Sequence, residues 1–360
     1  MAEEVSIHLK WYHKFQFAGY YAAQQQGYFA DEGYNVTLIE GGPDSNHLHN
    51  LISHASEYAT LGSEALNSLA LGSPIIIVAS IFQHSPEVLI TLKSNNVQSI
   101  KDLAGKPLML ASGSISGQVE AMLLKNQLQA TDYQTYTYDG DILKLADGSV
   151  FAMYGYISNE PYQLSQIDQQ VDLLRPQDYG IDFYGDSLAT TQYELDNHPQ
   201  RVAAMRRAVI RGWNYALKHP DKIINYILAR PTNNPLPYNI SHQQYEAKTT
   251  ADLIDTSNIP LGTSSPTRWA YMFDTFNETS GGQAVFTPSS IYNEFHQDRS
   301  WIPYVLIAAV FVFIIISVML AWNRALKNRL NAAITSLKKA AFEDTLTGLK
   351  NRSSMMLYIE

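Results

Sequence analysis

Apolar residues between positions 5 and 92 recur with two alternating periods, one of two residues and one of three to four. "VSIHLKW" (Val5–Trp11) reads as a strand, and "GYYAAQQQGYFADEG" (Gly19–Gly33) as a helix ended by Gly33. "YNVTLIEGG" is a second strand, "SNHLHNLISHA" a helix, "EYATLGS" a short strand, "EALNSLALG" a helix and "PIIIVASIFQ" a buried strand. "EVLITLKSNN" reads as an extended crossover, after which "SIKDLAGKPLMLASGSISGQVEAMLLKNQLQ" opens a second strand–helix series. "VFAMYGYISNEPYQL" and "QVDLLRPQDYGIDFYGDSLATT" add strands to it. From about residue 193 the pattern turns helical, with "PQRVAAMRRAVIRGWNYALKHPDKIINYILA" apolar at three-to-four spacing. The expected class is α/β, with two doubly wound lobes and a helical tail returning to the first. Ligands of such sheets sit at the carboxyl ends of the strands.

The pattern then changes in kind. "IPYVLIAAVFVFIIISVMLAW" (Ile302–Trp322) carries no charge over 21 residues, and about 20 suffice to cross a bilayer core. Trp301, Tyr304 and Trp322 stand at its edges, where aromatic rings favour the interface. Arg324, Lys327, Arg329, Lys338 and Lys339 follow it, whereas the preceding "NEFHQDRS" is mixed. The positive-inside rule puts residues 323–360 in the cytoplasm and 1–300 in the periplasm of an inner-membrane protein with a single span. "MAEEVSIHLK" has no apolar export signal, so a trimmed leader is expected. Leu326, Leu330, Ala333, Leu337 and Ala340 form a short heptad seam, which predicts a homodimer through residues 302–342.

Composition narrows the chemistry. The net charge of −9 argues against nucleic acid as a partner, and zero cysteines exclude disulfides, thiolate nucleophiles and Cys-ligated zinc. His47, His49 and His54 do not share a helical face, so no metal site is expected.

Several stretches carry resemblances. "LKWYHKFQFAGYYAAQQQGYFADEGYNVTLIEGGP", "IFQHSPEVLI", "KDLAGKPLML", "NEPY" and "YGIDFYGD" resemble the thiamine-pyrimidine-precursor family, in order, over roughly Val5–Ala229. That family holds fungal pyrimidine synthases and bacterial binding proteins, and the resemblance implies the type II bilobed periplasmic-binding-protein fold. The synthases' consumed His and their Lys for pyridoxal phosphate fall near Asn67 and Ser63, which can supply neither function. "DTLTGLKNR" (Asp344–Arg352) resembles the opening of GGDEF diguanylate cyclases, without their later catalytic turn. Together the resemblances imply the ligand-sensing input module of a membrane-bound diguanylate cyclase. No cofactor is then expected in this chain, and GTP and Mg belong only to a complete GGDEF domain. The alternative is a membrane-anchored solute-binding protein for uptake of a thiamine-precursor-like molecule. The corresponding parts are a sensor over 4–298 (lobe 1 about 4–92 and 190–298, lobe 2 about 93–189), the span 302–322, a coiled-coil helix 323–342 and a GGDEF fragment 343–360.

Site candidates follow from position and chemistry. Trp11 ends the first strand and can stack on a flat ring; His13, Gln16 and Tyr20 follow at the helix entrance. Ser63 and Glu64 close the third strand, and Gln83 and His84 precede a proline. Ser114 and Ser116 lie in a Gly/Ser loop entering a helix, which offers N–H groups to an anion, a carboxylate or a neutral ligand. Tyr156, Asn159, Glu160 and Asp186 suit recognition of a pyrimidine or other polar heterocycle by coded hydrogen bonds.

Overall fold

The computed structural model describes residues 2–111, 117–235, 238–280, 285–293, 301–343 and 347–349. The chain divides into two compact units, residues 1–293 and 294–360.

The first unit holds two five-stranded sheets. One contains β1 (Glu3–His8), β2 (Tyr34–Ile39), β3 (Tyr58–Leu61), β4 (Ile75–Ser80) and β10 (Ser187–Thr191), in the order β2-β1-β3-β10-β4. The other contains β5 (Glu87–Leu92), β6 (Pro107–Leu110), β7 (Gln134–Thr137), β8 (Ala152–Tyr156) and β9 (Val171–Leu174), in the order β7-β6-β8-β5-β9. Each sheet has one strand opposed to its neighbours, and in each case it is a strand that has just crossed from the other lobe. β5 pairs antiparallel with β8 and β9, and β10 pairs antiparallel with β3 and β4. The second lobe therefore begins at Glu87 and not near residue 93. "EVLITL" is a fully paired strand of that lobe, where the sequence suggested an extended crossover.

The true crossovers are short and bonded to each other. Ile81 and Phe82 donate their N–H groups to Asp186 O at 2.9 and 3.0 Å, and Gly185 N–H donates to Phe82 O at 3.0 Å. This doubled strap is the hinge between the lobes. Arg268 reinforces it, bonding Gln83 O at 2.6 Å and the Asp182 carboxylate at 2.8 Å.

Helix α1 (Ala18–Gln25) packs on the long helix α2 (Pro199–Lys218). Pro199 starts α2 with a φ already suited to the first turn. Val202, Met205, Val209, Trp213 and Ala216 then fall on one buried face at three-to-four spacing. The two backbones nearly touch: a Cβ on Gly212 would lie 2.0 Å from Gly19 O. A second core joins the lobes. It runs from Leu61 and Leu66 through Trp269, Met272 and Phe273 to Leu110 and Met122.

The second unit contains a continuous helix, Trp301–Phe342. At about 1.5 Å per residue its 42 residues extend about 63 Å. It is long and apolar enough to cross a membrane, with a mean hydropathy of 3.0 in its most apolar window. The stretch resembling a GGDEF opening falls largely outside the described residues.

The close α1–α2 crossing leaves no room for a methyl group. Gly212→Ala is expected to lower stability by about 1–3 kcal/mol through overpacking. Chemical denaturation of the detergent-solubilised full chain, followed by tryptophan fluorescence, reads this directly. An unchanged midpoint would contradict the packing described.

Candidate functional site

At the carboxyl end of β1, Lys10 is pinned by its own N–H, which donates to Thr60 Oγ1 at 2.9 Å. Its side chain is only 9 % exposed. Nζ lies 2.5 Å from Asp186 Oδ1 at the hinge and donates to Tyr156 Oη on the second lobe at 3.0 Å. Glu64 approaches from the helix that follows β3. A Cβ on Gly62 would sit 2.5 Å from Lys10 Nζ, 3.0 Å from Glu64 Oε2 and 3.7 Å from Tyr156 Oη. Glycine at 62 thus leaves the space in which these three groups meet. Gln16 completes Asp186, donating to Oδ2 at 2.5 Å.

The charges are strongly biased. Burial opposes the Lys10 ammonium, but Asp186, Tyr156 and Glu64 outweigh it and hold the pKa well above the ordinary lysine value. Burial also opposes ionised Glu64. Lys10, His47 at 3.1 Å and the Gly62 N–H nevertheless bring that carboxyl down to about 2. Glu87, the first residue of β5, goes the other way. Burial pushes it up to about 7, although Ser63 donates to its Oε1 at 2.7 Å and Gln118 and Lys10 lie near.

A second group lines the other lobe. Glu160 is 4 % exposed and accepts from Tyr138 Oη at 2.8 Å, Asn159 Nδ2 at 2.7 Å and the Tyr156 N–H at 2.6 Å. The rings of Tyr138, Tyr154 and Tyr156 meet edge to face, with centroids 5.4 and 6.2 Å apart, and form an aromatic wall. Lys14 pairs with Glu246 at 3.1 Å and lies 5.8 Å from the Tyr238 ring centroid, while Trp11 Nε1 donates to Tyr238 Oη at 3.2 Å.

Of the residues proposed from sequence, Gln16, Ser63, Glu64, Tyr156 and Asp186 converge on the Lys10 cluster. Tyr20 is buried beside it, its hydroxyl in the field of Asp186 and Lys10. Asn159 and Glu160 form the adjoining group. His13 turns elsewhere, with Nδ1 2.5 Å from Tyr21 Oη and its N–H bonded to Glu40 at 2.9 Å. Gln83 donates to Ser80 O and Thr263 O, both at 3.0 Å, and His84 bonds Asp182 at 2.9 Å, so both belong to the hinge. Ser114 and Ser116 lie outside the described residues. Lys10, Lys14, Glu87, Gln118 and Tyr138 went unnoticed in the sequence. The available signal was a lysine at the carboxyl end of a predicted buried strand.

An amine kept as an ammonium between carboxylates does not form imines. Among the described residues no three His, Asp or Glu groups gather as metal ligands. A separate groove of about 380 Å³, lined by Phe15, Leu217, Ile224, Ala247 and Ala251, contains none of these charged groups.

Two outcomes follow for stability. Lys10→Met strands Asp186 as a buried charge and is expected to cost about 3–5 kcal/mol, part of which returns in Lys10→Met/Asp186→Asn. Denaturant titrations of both variants measure this, and equal stability of the single and double variants would contradict it. For Glu87 the folded pKa of about 7 lies above the ordinary 4.5. Its contribution is therefore complete below 4.5 and is lost, to the extent of about 3 kcal/mol, as pH rises to 7. Glu87→Gln does not titrate, so its stability relative to wild type should rise across that range.

Comparisons with known proteins agree with this architecture. The family profile described as "NMT1/THI5 like" matches residues 14–223. The formylaminopyrimidine-binding protein of Halalkalibacterium halodurans is 23 % identical over 276 residues, covering 74 % of this chain and 82 % of the relative. The riboflavin-binding protein RibY of Chloroflexus aurantiacus is 24 % identical, covering 63 % of this chain and 66 % of the relative. Among solved structures, the periplasmic aliphatic sulphonate binding protein SsuA of Escherichia coli superposes with a TM-score of 0.61 at 15 % identity, covering 81 % of this chain and 93 % of that one. The shared fold is the α/β bilobed periplasmic-binding-protein fold. With more than half of its length matched by one profile, the chain belongs to the NMT1/THI5-like family.

Proposed function

We propose that residues 2–293 form a solute-binding unit for a small planar heterocycle rich in N–H donors, held at a membrane by the helix Trp301–Phe342. One observation carries the ligand class. Lys10, the ammonium at the centre of the cluster, is already shared among Asp186, Glu64 and Tyr156. Anions find no unclaimed ammonium there, whereas a donor finds the unpartnered Glu87 Oε2 beside a tyrosine wall. The names of two relatives, which refer to a formylaminopyrimidine and to riboflavin, point the same way. The uncharged 21-residue run and the Lys and Arg residues after it support a tether with residues 1–300 outside. In this reading the chain captures a thiamine-precursor-like molecule for uptake.

A second reading rests on "DTLTGLKNR" at 344–352, which resembles a GGDEF opening. Ligand capture would then bias a homodimer paired through residues 302–342 and control cyclic-di-GMP synthesis. That coupling needs different ligand affinities in the two output states. Cyclic-di-GMP formation by the intact protein, measured with and without ligand, separates the readings. A ligand-dependent change supports the receptor, and equal formation leaves capture alone.

Thermal unfolding of the full chain in detergent tests the ligand class. At a hundredfold excess over its dissociation constant, an aminopyrimidine should stabilise by about 2.7 kcal/mol and raise the midpoint visibly. Methanesulfonate should leave the midpoint unchanged. The reverse ranking would overturn the proposal.

A further inference from the structure

One buried group of the cleft has no use in the ion-pair scheme above. Glu87 is 2 % exposed, and its Oε1 accepts from Ser63 Oγ. Its Oε2 is buried without a hydrogen-bond partner. Such an oxygen is costly to leave unpaired in a buried site. Its surroundings come from four elements. Lys10 approaches from the end of β1, Ser63 and Glu64 from the turn after β3, Tyr154 and Tyr156 from β8, and Gln118 from the helix Gly117–Lys125. Gln118 lies beside Glu87 and tempers its burial, while its amide makes its close hydrogen bond to Ser85 Oγ.

We propose that Glu87 is the specificity-determining residue of the cleft, acting as a neutral carboxylic acid whose Oε2–H donates to a ring nitrogen of the ligand while Oε1, shared with Ser63, accepts from the adjacent exocyclic amine. The proposal deepens the heterocycle-capture reading and rests on it. A neutral carboxyl offers one donor and one acceptor side by side. It therefore matches an amino-substituted N-heteroaromatic with two parallel hydrogen bonds, which neither Glu64 nor Asp186 does as a carboxylate. Glu64 and Asp186 are already engaged with Lys10. The upward displacement of the Glu87 pKa to about 7, caused by burial, supports this protonation state. Glu64, brought down to about 2 by Lys10, His47 and the Gly62 N–H, stays ionised beside it.

The scheme carries a proton count. The complex holds one proton on the carboxyl–heterocycle pair. Above pH 7 both free Glu87 and the free heterocycle are unprotonated, so binding must take one proton from solvent. Affinity then falls by about tenfold per pH unit. Lys10 stays charged across this range, and Tyr156 stays neutral because burial raises its pKa.

Isothermal titration calorimetry of the detergent-solubilised full chain with 4-aminopyrimidine tests this between pH 7 and 9, using buffers of different ionisation heat. Wild type should take up about one proton at pH 8.5 and bind about tenfold more weakly there than at pH 7.5. Glu87→Gln, which keeps a donor and an acceptor but does not titrate, should lose both the uptake and the slope, and Glu87→Leu should bind at least tenfold more weakly at pH 7. Binding by wild type without proton uptake, or an unchanged slope in Glu87→Gln, overturns the role of Glu87 and leaves heterocycle capture standing. No binding by wild type at any pH overturns the capture reading and the Glu87 role together. Where Glu87→Gln does not fold, the wild-type proton count alone decides.

Discussion

The Lys10–Asp186 ion pair is the constraint around which the first unit is organised. It joins the end of β1 to the strap that links the lobes, and through Tyr156 Oη it reaches the opposite wall. A buried ammonium is tolerated only where its partners replace water. Asp186, Glu64 and Tyr156 do so from three distant parts of the chain, and their meeting fixes how the lobes face each other. Asp186 serves twice, since its carbonyl also takes the N–H groups of Ile81 and Phe82. Hinge and Lys10 cluster are therefore one piece of structure.

The same pair sets the character of the cleft. Its central cation is taken up by carboxylates, and the tyrosine rings beside it supply flat, weakly polar walls. In the capture reading proposed above, that combination and the unpartnered Glu87 Oε2 favour donor-bearing aromatic solutes over free anions. The fold alone makes no such distinction, because the sulphonate-binding neighbour shares it. Function here lies in a few side chains on a common scaffold.

How much of this the sequence disclosed differs by element. The alternation of strands and helices and the long apolar run were legible because each depends on local periodicity. The lobe boundary was not. "EVLITL" has the same apolar character whether it bridges two sheets or enters one, and only its pairing with β8 and β9 decides. Gln16, Glu64, Tyr156 and Asp186 could be picked out as polar residues at strand ends and helix entrances. His13 has the same credentials, yet it turns to Glu40 and Tyr21, because the direction of a loop side chain is set by tertiary neighbours. Lys10 and Glu87 escaped notice for a related reason. A charged residue in a buried strand looks unfavourable until partners far along the chain are known, and those partners become visible only in three dimensions.

The most direct test is a crystal structure of residues 2–293 within the full chain, grown with an aminopyrimidine. The account predicts the ring against Tyr154 and Tyr156, with its N–H groups on the carboxyl oxygens around Lys10 and the Lys10–Asp186 pair intact. A ligand seated instead in the apolar groove beside Phe15 and Ile224, or one that displaces Asp186 from Lys10, would contradict it.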